Sequence, residues 1–119
     1  MLPSSGRDSK RYPMRRDEIW WAALDKRRPV LIVQANLFNE SRLNSVVVAA
    51  ITSNLRLSEM PGNVRLGRRD SGLSTPTVVN ITQIFTLRRE RLTECVDTLP
   101  SRLMARVDEG IKLVLGLSA

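Results

Sequence analysis

The sequence predicts an α+β, mainly β domain, a small antiparallel β-barrel with one C-terminal helix packed on it. Three observations carry that prediction. Short runs rich in β-branched residues, including Val30-Leu31-Ile32-Val33 and Val46-Val47-Val48-Ala49-Ala50-Ile51, are separated by stretches of turn formers. From Pro100 onward the apolar spacing lengthens from about two residues to about 3.6, with Leu103, Met104, Val107, Ile111, Val114 and Leu115 on one stripe. The length of 119 residues suits one domain, able to bury roughly two-thirds of its unfolded surface.

Taken in order, residues 1–13 are polar and rich in Pro, Gly and Ser, and read as a loose tail ahead of a domain spanning residues 14–119. Glu18 to Leu24 reads as the first strand, in which adjacent Trp20 and Trp21 must face opposite sides. Asp25-Lys26-Arg27 makes a tight connection into a second strand that begins at Arg28-Pro29. The segment Ala35 to Asn44 reads as a loop holding one helical turn, anchored by Phe38 and Leu43. Ser45 to Ile51 is apolar on both faces, so both must be covered. A short strand follows near Asn63 to Leu66. Gly67-Arg68-Arg69-Asp70-Ser71-Gly72 then reads as a basic loop. The long run Thr77 to Leu87 is the fifth strand, with a bend in its middle and Asn80, Thr82 and Gln83 facing outward. Pro100 starts the helix, Gly116 stops it, and Asp108 and Lys112 are placed for an exposed pair. Five short strands and one helix suggest a partly closed barrel of the SH3-like type.

A formal charge of +7 points to a polyanionic partner, nucleic acid above all. The single cysteine, Cys95, excludes an internal disulfide framework and fits a reducing cytoplasm. No apolar run approaches the roughly 20 residues needed to cross a bilayer, so no membrane association is expected. Histidine is absent, which removes the commonest general base and metal ligand. No cofactor and no metal are expected.

Antiparallel pairing of the second and third strands would bring the start of one near the end of the other, and so Arg28 near Thr52. The motifs at these positions resemble a known family. Arg16-Asp17-Glu18-Ile19-Trp20-Trp21 is similar to the R-G-E/D-I-W opening of MazF/PemK-family toxins. Arg28-Pro29-Val30-Leu31-Ile32-Val33 resembles their R-P-V-L-V-V strand, and Ile51-Thr52-Ser53-Asn54 their T-S-N motif. Val79 to Leu87 resembles their strand containing Q-I-x-T-L. The likeness runs from about Arg15 to Leu117, nearest to the mycobacterial type.

The resemblance implies a cytoplasmic, homodimeric mRNA interferase that cuts single-stranded RNA selectively and without metal, restrained by a MazE-type antitoxin. It implies catalytic roles for Arg28 and Thr52. Attack of a ribose 2′-hydroxyl on the adjacent phosphate builds negative charge that a guanidinium can hold with two hydrogen bonds. The products of that route are a 2′,3′-cyclic phosphate and a 5′-hydroxyl. A threonine hydroxyl is a poor base and acts as a positioning group.

Ser53, Asn54 and Gln83 offer hydrogen bonds to phosphates or base edges, against which stands bonding to their own backbone. Arg27, Arg68 and Arg69 are candidates to track the RNA backbone. Glu18 is the candidate general base, with a salt bridge to a nearby arginine as the competing role. The chain departs from the family where a long Gly- and Gln-rich loop usually joins the first two strands. It departs again at Asn80 and Thr82, where some members carry a basic and an acidic residue. The competing reading is a non-cleaving SH3-like module that binds nucleic acid or an antitoxin.

Overall fold

The structure, a computed structural model, describes residues 14–117; the predicted tail, residues 1–13, lies outside them. Its strands are β1 (Glu18–Ala23), β2 (Arg27–Ile32), β3 (Ser45–Thr52), β4 (Val64–Leu66), β5 (Thr77–Arg88) and β6 (Leu92–Thr98). All neighbours pair antiparallel in the order β4-β5-β3-β2-β1-β6, a curled half-barrel. Short helices α1 (Asn36–Asn39) and α2 (Arg68–Ser71) sit in the connections, and α3 (Ser101–Leu115) closes the chain.

Six strands stand where five were predicted. β6 was missed because Leu-Thr-Glu-Cys-Val-Asp-Thr is an edge strand with only Leu92 buried, so it lacks an apolar face to betray it. Its partner is β1, in the register Trp21↔Glu94. The two sheet edges approach each other through the segment after β4. A side chain added at Gly72 would meet Asp97 Cβ at 3.0 Å.

The alternation of strand side chains divides the core between two faces. Ile19, Leu31, Ala49, Ile51 and Val79 pack with Leu103, Met104 and Val107 of α3. Trp20, Val30, Ile32, Val46 and Val48 pack on the other face with Met14 and Leu92. Trp20 is fully buried, while Trp21, one residue on, is only half-buried.

β5 bends as its length suggested. Its start pairs with Ala50 to Thr52 and its end with Ser45 to Ala49, and the register shift between them leaves residues 81–83 without partners in β3. Asn80 does not face outward, as had been predicted, but is buried at this bend. Its Oδ1 accepts from Asn63 Nδ2 at 3.2 Å and Thr82 Oγ1 at 3.0 Å, while its Nδ2 donates to Gln83 Oε1 at 3.1 Å. Asn63 Oδ1 accepts the Ile81 N–H at 2.8 Å. A buried polar network thus satisfies the backbone that the bulge releases.

Three local expectations are corrected. The one-turn helix α1 exists, but Phe38 and Leu43 are exposed; the anchor is fully buried Asn39, whose amide bonds Gln34 O at 2.9 Å. Arg68 to Ser71 forms α2 rather than a loop, ending on Gly72 at φ 76°. Asp108 pairs with Arg16, and Lys112 pairs with Glu109 at 3.8 Å. The helix stop at Gly116 holds: φ is 69°, and Leu117 N–H reaches Lys112 O at 2.8 Å.

Candidate functional site

The β2–β3 pairing includes Val30↔Ala50 and ends there. Arg28 and Thr52 lie two residues beyond that last pair, one on each strand. Both line a groove of about 810 Å³. Arg27, Arg28, Thr52, Ser53 and Gln83 all line it, so five of the predicted residues meet at one place. Pro29 begins the apolar floor behind the two arginines.

Arg28 is half-exposed and already engaged. Its Nε and Nη2 donate to Asp25 Oδ1 and Oδ2 at 2.9 and 3.0 Å, a bidentate fork. The hydrogen bonds from Arg28 hold the Asp25 carboxyl at about 2. Arg27 lies over the Trp21 ring, 4.3 Å from its centroid, and its Nη2 donates to Glu94 Oε1 at 2.9 Å.

Thr52 Oγ1 accepts the Asn54 N–H at 3.1 Å, which fixes the hydroxyl while leaving its proton to be donated. Asn54 is occupied locally: its Oδ1 accepts the Arg56 N–H at 3.2 Å and caps the turn Leu55–Glu59. It does not line the groove, and neither do Arg68 and Arg69, which are exposed on α2.

Glu18 is also elsewhere. It is buried at the far end of β1 from the groove, and its Oε1 accepts the Arg15 N–H at 2.9 Å and the Trp20 indole N–H at 3.1 Å. The second of these bonds satisfies the polar edge of a ring that the core otherwise encloses. Its geometry is that of an anchor for Trp20, not a base at the groove.

Sequence reasoning passed over two features of the site. Asp25 read as a linker, although an acid three residues before Arg28 in a tight turn is the signal for such a fork. The opposite wall carries Ser74, Thr75 and Thr77, and Thr77 Oγ1 is buried without a hydrogen-bond partner. The hydroxyl-rich run Ser-Thr-Pro-Thr after Gly72 was its trace in the sequence.

Comparisons with known proteins agree with this geometry. The sequence profile described as "PemK-like, MazF-like toxin of type II toxin-antitoxin system" matches residues 15–115. Endoribonuclease MazF6 of Mycobacterium tuberculosis is 46% identical over 110 residues, covering 86% of this chain and 96% of that protein. Endoribonuclease EndoA of Bacillus subtilis is 31% identical over 90 residues, covering 76% and 77% respectively. A solved mycobacterial endoribonuclease in complex with its cognate antitoxin superposes with a TM-score of 0.78 at 25% identity, covering 89% of this chain and 98% of that one. By its sequence, its half-barrel and its groove, the chain belongs to the PemK-like, MazF-like toxin family of type II toxin-antitoxin systems.

Proposed function

We propose that the chain is the endoribonuclease toxin of such a system, cutting single-stranded RNA selectively in the groove lined by Arg28 and Thr52. The observation that carries this reading is that Arg28 and Thr52 line the same basic groove. RNA displaces Asp25 from Arg28, whose fork then grips the two non-bridging oxygens of the scissile phosphate. The Thr52 hydroxyl donates to one of the same oxygens. The ribose O2′ passes its proton to solvent water as it attacks phosphorus, the bond to O5′ breaks, and O5′ takes a proton from water. A 2′,3′-cyclic phosphate and a 5′-hydroxyl result. Arg28 stabilises the added charge on the pentacoordinate phosphorus.

The likeness to MazF6 and to the mycobacterial complex supports RNA as substrate and a cognate antitoxin as partner. The reading includes a homodimer working in the cytoplasm, without a metal ion. No helix among the described residues is long and apolar enough to cross a membrane. Incubation of a long unstructured RNA with the protein in EDTA should give discrete cuts ending in a cyclic phosphate. Arg28→Ala should slow them by roughly 100- to 1000-fold, as loss of a charge-stabilising donor does elsewhere, and Thr52→Ala by less. Intact RNA after incubation with folded wild-type protein would refute the proposal.

A further inference from the structure

Two adjacent arginines meet the same groove in different ways, and the difference assigns the second one a ligand. Arg27, Trp21 and Glu94 come from three neighbouring strands, β2, β1 and β6, with Trp21 opposite Glu94 in the sheet. The Trp21 ring supports one face of the Arg27 guanidinium at 4.3 Å. Glu94 occupies its Nη2 edge at 2.9 Å and offsets its charge. The outer face remains, in a side chain that is 55% exposed. Glu94 takes one of the five N–H donors of the guanidinium and Trp21 covers one face. What stays open is a flat cationic surface whose Cζ lies over an aromatic ring and whose one edge is bonded to a carboxylate. Unpaired nucleobases stack on such a surface.

We propose that the outer face of Arg27 is a nucleobase-stacking shelf of the RNA groove, taking the base of a nucleotide next to the phosphate held by Arg28. The proposal rests on the RNA-cutting reading above and adds to it a base subsite built from Trp21, Arg27 and Glu94. The pile is then Trp21, Arg27, base. Each layer is planar, and the stack needs no particular base edge, so the shelf contributes affinity and register more than sequence choice. Arg27→Lys tests it, because lysine keeps the charge and loses the plane.

The probe is a 2′-O-methyl oligonucleotide of about nine nucleotides spanning a mapped cut, which lacks the attacking hydroxyl and fits the usual length of a single-strand site. Its affinity for wild type and Arg27→Lys is measured by fluorescence anisotropy, first intact and then with one abasic position at a time. The expected result is roughly tenfold weaker binding of the intact probe by Arg27→Lys, the usual size of a lost base stack. That difference should vanish at one abasic position and persist at the others. Equal binding by the two proteins, or a tenfold difference that survives at every abasic position, would overturn the shelf while leaving cleavage by the wild type intact. A wild type that neither binds the probe nor cuts RNA would overturn the functional reading together with it. Matching thermal melts of the two proteins keep misfolding out of the comparison.

Discussion

Replacing Gly110 with alanine sets two known effects against each other. Gly110 lies inside α3 and is buried, and alanine is better in a helix interior by about 1 kcal/mol. The added Cβ would stand 2.1 Å from the Gly62 carbonyl oxygen and 3.0 Å from its carbon, closer than any real contact. Either the helix or the loop must move. The loop resists, because Asn63 follows Gly62 and is bonded on all sides: its N–H to Met60 O at 3.1 Å, its amide to Leu57 O at 2.9 Å and to Asn80, and its Oδ1 to Ile81 N–H. Overpacking of this kind costs about 1–3 kcal/mol, and the clash against backbone places it at the upper end. A net loss of about 1–2 kcal/mol corresponds to a fall in Tm of roughly 5–15 °C for a domain of this size. Circular dichroism melts at one fixed protein concentration measure it, the concentration being held because association shifts Tm. A Tm at or above wild type would show that the Gly62 turn yields freely, and the rigid path from α3 to the β5 bend would be refuted.

Other substitutions read other parts of the structure. Asp17 sits at φ 77° where the family motif has glycine, a conformation costing an ordinary residue about 1–2 kcal/mol and aspartate somewhat less. Burial raises the Asp17 carboxyl above 3.8, with Arg15 and Arg16 only partly opposing it. The folded state therefore holds that proton more tightly than the unfolded one. Ionised Asp17 weakens the fold, and the penalty grows as pH rises through 3.8 to the raised value. Asp17→Gly should add about 1 kcal/mol at neutral pH and less at pH about 3 by urea unfolding; an equal gain at both would refute the charge contribution. Thr77→Val removes a buried hydroxyl that lacks a partner, and should raise stability by about 1 kcal/mol; a loss would mean that the hydroxyl is bonded. Asp25→Asn frees the Arg28 fork and should lower KM for RNA severalfold without raising kcat. A higher KM would instead make Asp25 the group that positions Arg28. The Asp25–Arg28 pairing stabilises the fold at pH above 3.8 and is lost as pH falls towards about 2, so the variant should lack that acid-dependent step.

The parts of the fold carried by apolar residues were legible in the sequence. β2, β3, β5 and α3 each show a run or a stripe that only one kind of burial satisfies, and a shared groove for Arg28 and Thr52 follows once β2 and β3 are read as antiparallel neighbours. What stayed hidden was polar. Asn39 reads as a loop residue, Asn63 as the start of a short strand and Asn80 as an outward strand residue, yet all three are buried connectors in the structure, because an amide with four bonding positions can replace the backbone partners that a one-turn helix or a bulge leaves vacant. Phe38 and Leu43 showed the reverse error, since an apolar side chain in a loop has no pattern to say that it will be buried. Asp25 was hidden by its locality. A carboxylate three residues from its arginine leaves no periodic trace, yet it determines what the free groove presents. Arg68 and Arg69 were read by charge alone, and charge does not say which side of a barrel a helix will occupy.

Charge is also the wrong measure of the two arginines that the groove does contain, and the salt dependence of binding separates them. Each phosphate neutralised on single-stranded RNA releases counterions, so log K falls with log salt by roughly 0.7 per contact. Arg28 exchanges the Asp25 carboxylate for a phosphate, one anion for another, so it forms a genuine phosphate contact. Arg27 keeps Glu94 at 2.9 Å and Trp21 beneath it, and offers a face. Arg28→Ala should therefore make the slope shallower by about 0.7. Arg27→Ala should leave it unchanged, though both variants bind more weakly. Titrations of the uncleavable probe at several salt concentrations give both slopes from one set of proteins. Equal shallowing by the two variants would mean that Glu94 lets go when RNA arrives and that Arg27 serves as a second phosphate clamp. A slope unmoved by Arg28→Ala would remove the phosphate from Arg28 and with it the proposed chemistry, in which Arg28 holds the scissile phosphate that Thr52 also contacts.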